Sequence, residues 1–470
     1  MDLQNLHGKC LFCGNPIPGY YNPAKKRFCC VGSTPWKPAD KFGDDLELYP
    51  TVFPVPSKAD GEFAPPHPAS RPSMDAFAIS IHDPALPPAT AHPSLPYPAS
   101  VPEMDQLHCG NAVLHGLGGH EENFGFSGGN ITVCDLATYP WSNTLKDLRT
   151  WAVVRTAVQS RIRHLGVWTA GNAGLSLVKM VYAVNRVLKL DERIQVYCYS
   201  SNGSLPKSIQ RLLESYQAYA DPFPRDYTGP IFTPADAVAR LNSRLGSNIQ
   251  IDQYWDVTDG LDGVGLYMYR LLARQLCVHL RPRYIVVPVG TGDLFYGFYL
   301  GVQDCRAKDL IEATDCQIVA AIPEGESIVN NYEKYGIHID VERDEFAPPS
   351  DTPCAPKLTT IYTPLLLVMY KAMIDPSVIR MVISRSEQEV AANELCCKNG
   401  PQLVAVEPSA LIAFGALKRL SNVCLPNKPG TNKLLKRTRA NEKVVVVNSG
   451  CGAMGDEEIK FLSANFARTR

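Results

Sequence analysis

VVPVGTGDLFYGFYLG, Val286 to Gly301, sets a strand-like apolar run against a short loop, Gly290-Thr291-Gly292-Asp293-Leu294, and then a helix-like segment. A strand that turns directly into a helix is the repeating unit of an α/β protein. The backbone amides of such a loop lie at a helix N-terminus and can cradle a phosphate without any cationic side chain. No Gly-Lys-Ser/Thr follows, so this is not a nucleotide P-loop, and the glycine spacing does not match the dinucleotide fingerprint. A single small phosphorylated ligand suits it better. Asp293 would then stand close to a phosphate, which requires its carboxylate to turn away and cap the helix.

The same alternation extends along most of the chain. Helical periodicity over Leu145 to Leu165, Leu175 to Leu190, Pro206 to Ala220, Val264 to Leu280 and Pro408 to Leu420 alternates with β-branched runs, RIQVYCYS, RYIVVPVG, CQIVAAIP and KVVVVNSG. The pattern predicts an α/β fold with two open, twisted, mainly parallel sheets wrapped by helices. In such sheets sites form at the carboxyl ends of strands.

Three further loops follow that rule. VWTAGNAGLSLV, Val167 to Val178, passes through Gly171-Asn172-Ala173-Gly174 into an amphipathic helix. Its small residues let a ligand lie against the backbone, and Asn172 offers both a donor and an acceptor, although a plain tight turn would look the same. VVVVNSGCGAMG, Val444 to Gly455, ends a buried strand on Ser449, whose hydroxyl could meet a ring nitrogen. TYPWSNTLKDLRTWAVV, Thr138 to Val154, sets Lys146 between a polar turn and a helix-like run. Taken alone, Lys146 is an ordinary solvated helix lysine.

Composition narrows the classes. With 470 residues, 45% of them hydrophobic, the chain can bury a large core, and about 100–200 residues per domain gives roughly two to four domains. A net charge of −1 offers nothing to nucleic acid or an anionic membrane. The N-terminus lacks the apolar core of a secretory signal, and no apolar run reaches about 18 residues, so a soluble protein is expected. The 15 cysteines lie mostly inside apolar segments, which suits free thiols in a reducing cytoplasm.

The chain changes character twice before the regular region begins. Residues 1–53 form a turn-rich arm in which Cys10 and Cys13 have metal-ligand spacing and could meet Cys29 and Cys30 in a small zinc ribbon. Cys29 and Cys30 are adjacent rather than a second C-x-x-C, so a site without metal stays open. Residues 54–105 carry thirteen prolines and form an extended connector, with DAFAISIHD as a possible strand lying along the main domain. Residues 106–470 make up the remainder, with a small subdomain over about 150–280.

In chain order the loops resemble the fold type II family of pyridoxal 5′-phosphate enzymes, which includes threonine synthase, cysteine synthase, threonine dehydratase and the tryptophan synthase β chain. WSNTLKDLRT is similar to that family's lysine motif, TAGNAG to its Ser-x-Gly-Asn-x-Gly loop, and GTGDL to its phosphate loop. VEPSALIAFGALKRL resembles its late Glu-Pro-Ser-x-Ala segment, and AAIPEG occupies the usual following strand. The likeness covers about residues 130–460 and is nearest to threonine synthase. The chain departs from the pattern in lacking Pro-Thr-Gly before the lysine, in the shift of Arg149 by one place, and in Ala170 where a serine is usual.

The resemblance implies pyridoxal 5′-phosphate as cofactor, with Lys146 as the Schiff-base lysine and general base. Asn172 is then the partner of the ring hydroxyl, Gly290, Thr291, Gly292, Asp293 and Leu294 hold the phosphate, and Ser449 meets the ring nitrogen. Thr169, Ala170, Gly171 and Ala173 receive an amino-acid carboxylate. The implied activity is elimination or replacement at a β or γ carbon by a lyase or transferase, and a homodimer is the expected assembly. A scaffold of the same fold that has lost turnover and serves as a binding partner is the alternative.

Overall fold

A computed structural model describes residues 112–466, apart from loops of which 224–233, 342–352 and 424–441 are the longest, together with the backbones of three short earlier strands. Those three are β1 (Tyr20–Asn22), β2 (Arg27–Cys29) and β3 (Phe77–Ile79). β1 and β2 pair as an antiparallel hairpin. Cys10, Cys13 and Cys30 lie outside the described residues, and of Cys29 only the backbone, in β2, is described.

The large sheet has seven strands in the order β12-β11-β10-β13-β5-β4-β3. They are β4 (Ala112–His115), β5 (Ile131–Asp135), β10 (Tyr284–Pro288), β11 (Gln317–Pro323), β12 (Val378–Ile383) and β13 (Val444–Asn448), with β3 at the edge. The run from β5 to β12 is parallel, whereas β4 and β3 add antiparallel. DAFAISIHD therefore contributes a sheet strand, β3, as its alternation suggests. The second sheet is wholly parallel, in the order β8-β7-β6-β9: β6 (His164–Trp168), β7 (Gln195–Ser201), β8 (Tyr219–Phe223) and β9 (Tyr254–Asp256).

The helices are α1 (Lys146–Gln159), α2 (Asn172–Asn185), α3 (Lys207–Ser215), α4 (Pro234–Leu245), α5 (Val264–Leu280), α6 (Asp293–Ala307), α7 (Leu366–Met373), α8 (Arg385–Glu394), α9 (Pro408–Val423) and α10 (Asp456–Phe466). Three of them, α1, α2 and α3, stop sooner than the periodicity suggests, α2 at Asn185 rather than Leu190. After α1, Arg161 takes a φ of 56°, and after α3, Gln217 takes a φ of 63°. A left-handed residue ends a helix. Buried Ile162 and Leu165 beyond α1, and Ala218 beyond α3, prolong the apolar pattern although they belong to a turn or the next strand.

Parallel strands covered on both faces read as continuous apolar runs. Val444, Val445, Val446 and Val447 are at most 1% exposed, with Val445 and Val447 facing one core cluster and Val444 and Val446 the other. β13 thereby lies between β5 and β10, and the carboxyl ends of three strands distant in sequence come side by side. Five fully buried cysteines, Cys134, Cys198, Cys277, Cys305 and Cys316, are free thiols. Among the described residues no helix is long and apolar enough to cross a membrane.

Candidate active site

Lys146 is half-buried and opens α1 at the end of the loop leaving β5. Asp147 shapes that loop. Its carboxylate accepts from the Trp141 amide (2.7 Å), the Ser142 amide (2.9 Å) and the Ser142 hydroxyl (2.6 Å). Burial pushes the Asp147 carboxyl up from its ordinary value, and the hydrogen bonds from Ser142 oppose that shift. Thr144 Oγ1 in turn accepts from the Lys146 amide at 3.2 Å and pairs with the Ser142 hydroxyl at 2.8 Å. The start of the helix is capped by a side chain inside its own turn.

The loop after β13 runs against that turn. Leu145 N–H donates to the Ser449 carbonyl, Cys451 N–H donates to the Asn143 carbonyl, and Thr144 bridges Gly450. Gly450 has a φ of 151°, and a Cβ there would meet Thr144 Cγ2 at 2.6 Å, so only glycine permits this approach. Ser449 is 4% exposed, and its hydroxyl makes no hydrogen bond among the described residues. Asn448, one residue earlier, donates to Asp135 Oδ1 (2.8 Å) and the Ala405 carbonyl (2.9 Å).

Asn172 stands at the first position of α2, at the end of β6, and is 7% exposed. Its Nδ2 donates to Glu407 Oε2 at 3.1 Å, and its Oδ1 accepts the Ala453 amide at 2.9 Å. Glu407 Oε2 also receives the Gly452 amide at 3.2 Å and the Lys357 ammonium at 2.8 Å. Thr169 Oγ1 accepts from the amides of Gly171 (2.9 Å) and Gly174 (3.0 Å), so it shapes the turn and keeps a hydroxyl hydrogen to offer. Gly171, with a φ of 141°, precedes α2, and Ala173 is buried in its first turn. Ala170 lies outside the described residues.

The Gly290–Leu294 loop joins β10 to α6. Gly292 has a φ of 106°, and a Cβ on it would fall 1.8 Å from Met369 Sδ. At Gly290 a Cβ would come within 3.1 Å of Leu358 Cα. Thr291 is half-buried, while Asp293 and Leu294 are buried at the start of α6. The segment bearing Lys357 and Leu358 thus touches this loop and, through Glu407, reaches Asn172. One continuous set of contacts joins the Lys146 turn, the Ser449 loop, the Asn172 turn and the Gly290–Leu294 loop.

Two members of this cluster, Asp147 and Lys357, are not evident from local pattern, whereas a third, Glu407, is. Glu407 has a visible signal, an acidic residue just ahead of a proline-initiated helix. Asp147 shows none beyond its place beside Lys146. Lys357 lies in CAPKLTT, where neither period nor motif marks it.

Solved structures with the same architecture include maize serine racemase, 13% identical over 76% of this chain and 93% of that one, with a TM-score of 0.52. The L-serine ammonia-lyase of the fungus Rhizomucor miehei is 15% identical over 76% and 98% of the two chains, with a TM-score of 0.50. Escherichia coli diaminopropionate ammonia lyase in its apo form is 12% identical over 78% and 90%, with a TM-score of 0.50. The chain shares its fold with these enzymes. Two mainly parallel sheets wrapped by helices are the fold type II architecture that the motifs imply. No protein-family model and no curated protein matches the chain.

Proposed function

We propose that the chain binds pyridoxal 5′-phosphate and eliminates or replaces a leaving group at the β or γ carbon of an amino acid, with chemistry of the threonine synthase kind. The linkage of four separate loops, those of Lys146, Asn172 and Ser449 directly and that of Gly290–Leu294 through Lys357 and Glu407, is the observation that carries it. The donor set suits this cofactor. The glycine-bearing loop leaves no room for side chains, a buried Ser449 hydroxyl stands without a protein partner among the described residues, and the Asn172 amide has one N–H beyond its bond to Glu407.

When bound, the cofactor supplies an aldehyde that captures amines and a ring that draws electrons from the substrate α carbon. Lys146 is the amine that holds the aldehyde and afterwards takes the α proton. Lys357 is unsuited to that role, since its ammonium lies against Glu407 and Glu458. Asn172 donates to the ring oxygen, and the amides of Gly290 to Leu294, at the start of α6, receive the phosphate. The Thr169 hydroxyl and the backbone from Ala170 to Ala173 orient the substrate carboxylate. Ser449 offers the ring nitrogen a neutral hydroxyl rather than a carboxylate, which favours elimination or replacement over transamination.

Borohydride treatment of the purified protein tests the reading. A visible absorbance band should disappear, and the added mass should map to the peptide holding Lys146. A colourless protein after incubation with pyridoxal phosphate, or labelling at another lysine, rejects it.

A further inference from the structure

Lys357 lies in a segment fastened at several points. Cys354 exchanges two hydrogen bonds with the Gln388 side chain, at 2.9 and 2.8 Å, and the Lys357 amide donates to Ser409 Oγ at 3.3 Å. Its side chain is 14% exposed, and its ammonium lies 2.8 Å from Glu407 Oε2 and 3.0 Å from Glu458 Oε1, both glutamates being 5% exposed. Burial of this lysine works to lower its pKa, and the two carboxylates outweigh that, leaving it raised.

Three donors converge on Glu407 Oε2: Lys357 Nζ, Asn172 Nδ2 and the Gly452 amide. Such an oxygen belongs to an ionised carboxylate, and a buried carboxylate holds its charge only when paired. An ionised Glu407 accepts and cannot donate, so it fixes which end of the Asn172 amide it meets. With Asn172 Oδ1 taken by the Ala453 amide, the group left to face a ligand is the second N–H. A donor there favours an oxyanion over a protonated hydroxyl.

We propose that Lys357 is a positioning residue that keeps Glu407 ionised and thereby makes Asn172 a hydrogen-bond donor to an anionic oxygen of the bound ligand. The proposal rests on the pyridoxal phosphate reading, in which that oxygen is the cofactor's ring oxygen. Lys357 also couples the two ends of the ligand, because its segment covers Gly290.

The test compares absorption spectra of the cofactor-loaded wild type, K357M, K357R and E407Q, with bound cofactor quantified after alkaline release. In K357M the ratio of visible to near-ultraviolet absorbance at neutral pH should fall about tenfold, the scale of one charge-assisted hydrogen bond. K357R, which retains the charge, should recover most of it. E407Q, which keeps the side-chain size, should shift the ratio in the same direction, and K357M/E407Q should shift it no further than E407Q alone. An unchanged ratio in K357M or E407Q with cofactor bound, or equal shifts in K357R and K357M, overturns the proposal. Should K357M fail to fold, E407Q decides alone. A wild type that takes up no cofactor rejects the parent reading instead, so the two failures are distinguishable.

Discussion

The amide of Leu145 donates to the carbonyl of Ser449 at 2.9 Å. The residue before the candidate attachment lysine is thus bonded to the residue proposed to meet the ring nitrogen, so the two loops share a backbone hydrogen bond. Changes at either position can be read against a fixed reference.

Lys146→Ala should fold normally, because Lys146 is a half-buried first residue of α1 and its backbone amide bond to Thr144 remains. Its melting temperature should stay close to that of the wild type. The borohydride-sensitive band should be lost completely, as read by absorbance after incubation with pyridoxal phosphate. A surviving band would assign the attachment to another amine.

Ser449→Asp replaces a neutral hydroxyl by a carboxylate in a position 4% exposed. Burying that charge unpaired costs several kcal/mol, about 2–7 for a polar group alone, unless a protonated ring nitrogen pairs with it. Cofactor should therefore stay bound while elimination or replacement falls by at least about a hundredfold, a loss of ~2.7 kcal/mol of transition-state stabilisation. Unchanged turnover with cofactor in place would mean that Ser449 does not touch the ring.

Gly292→Ala should destabilise the protein by about 1–3 kcal/mol from the left-handed backbone alone. The new Cβ must also displace Met369 Sδ, which stands 1.8 Å from its position. Thermal or urea unfolding measures the total. Adding Met369→Ala should recover the steric part and leave the backbone part, so the double variant falls short of additivity.

His115 bonds through Nε2 to Asp135 Oδ2 at 3.4 Å, and that hydrogen bond raises its pKa above the ordinary 6.5 against the opposing effect of burial. A raised value in the folded state means stability that is complete below 6.5 and is lost as pH rises through the folded value. Melting temperature should therefore decline over that interval in the wild type. His115→Gln should abolish this component of the slope; an identical slope in the variant would place the titration elsewhere.

The fold was legible wherever a segment answers to a single neighbourhood. Val264 to Leu280 forms a helix over the predicted span, and the Val444–Val447 run forms a doubly covered strand. The periodicity misleads where Ile162, Leu165 and Ala218 are buried by the next element rather than by the helix they appear to extend. The candidate site left its traces at small residues, because a glycine at φ 106° or 151° leaves a mark in sequence. Lys357 was not legible, since its meaning comes from one hydrogen bond to Glu407 that spans fifty positions.

The place of β13 bears on how the molecule reaches its native state. β5 and β10 have no edge in common until Val444–Asn448 arrives between them, and that strand is synthesised long after both. A ribosome-bound chain therefore carries two unsatisfied parallel edges from the completion of β10 until β13 emerges, the situation in which strand-edge aggregation competes with folding. Contacts of such high sequence separation also slow the final closure. Productive expression should depend on chaperone supply, and on temperature during synthesis, more strongly than the buried core alone would suggest.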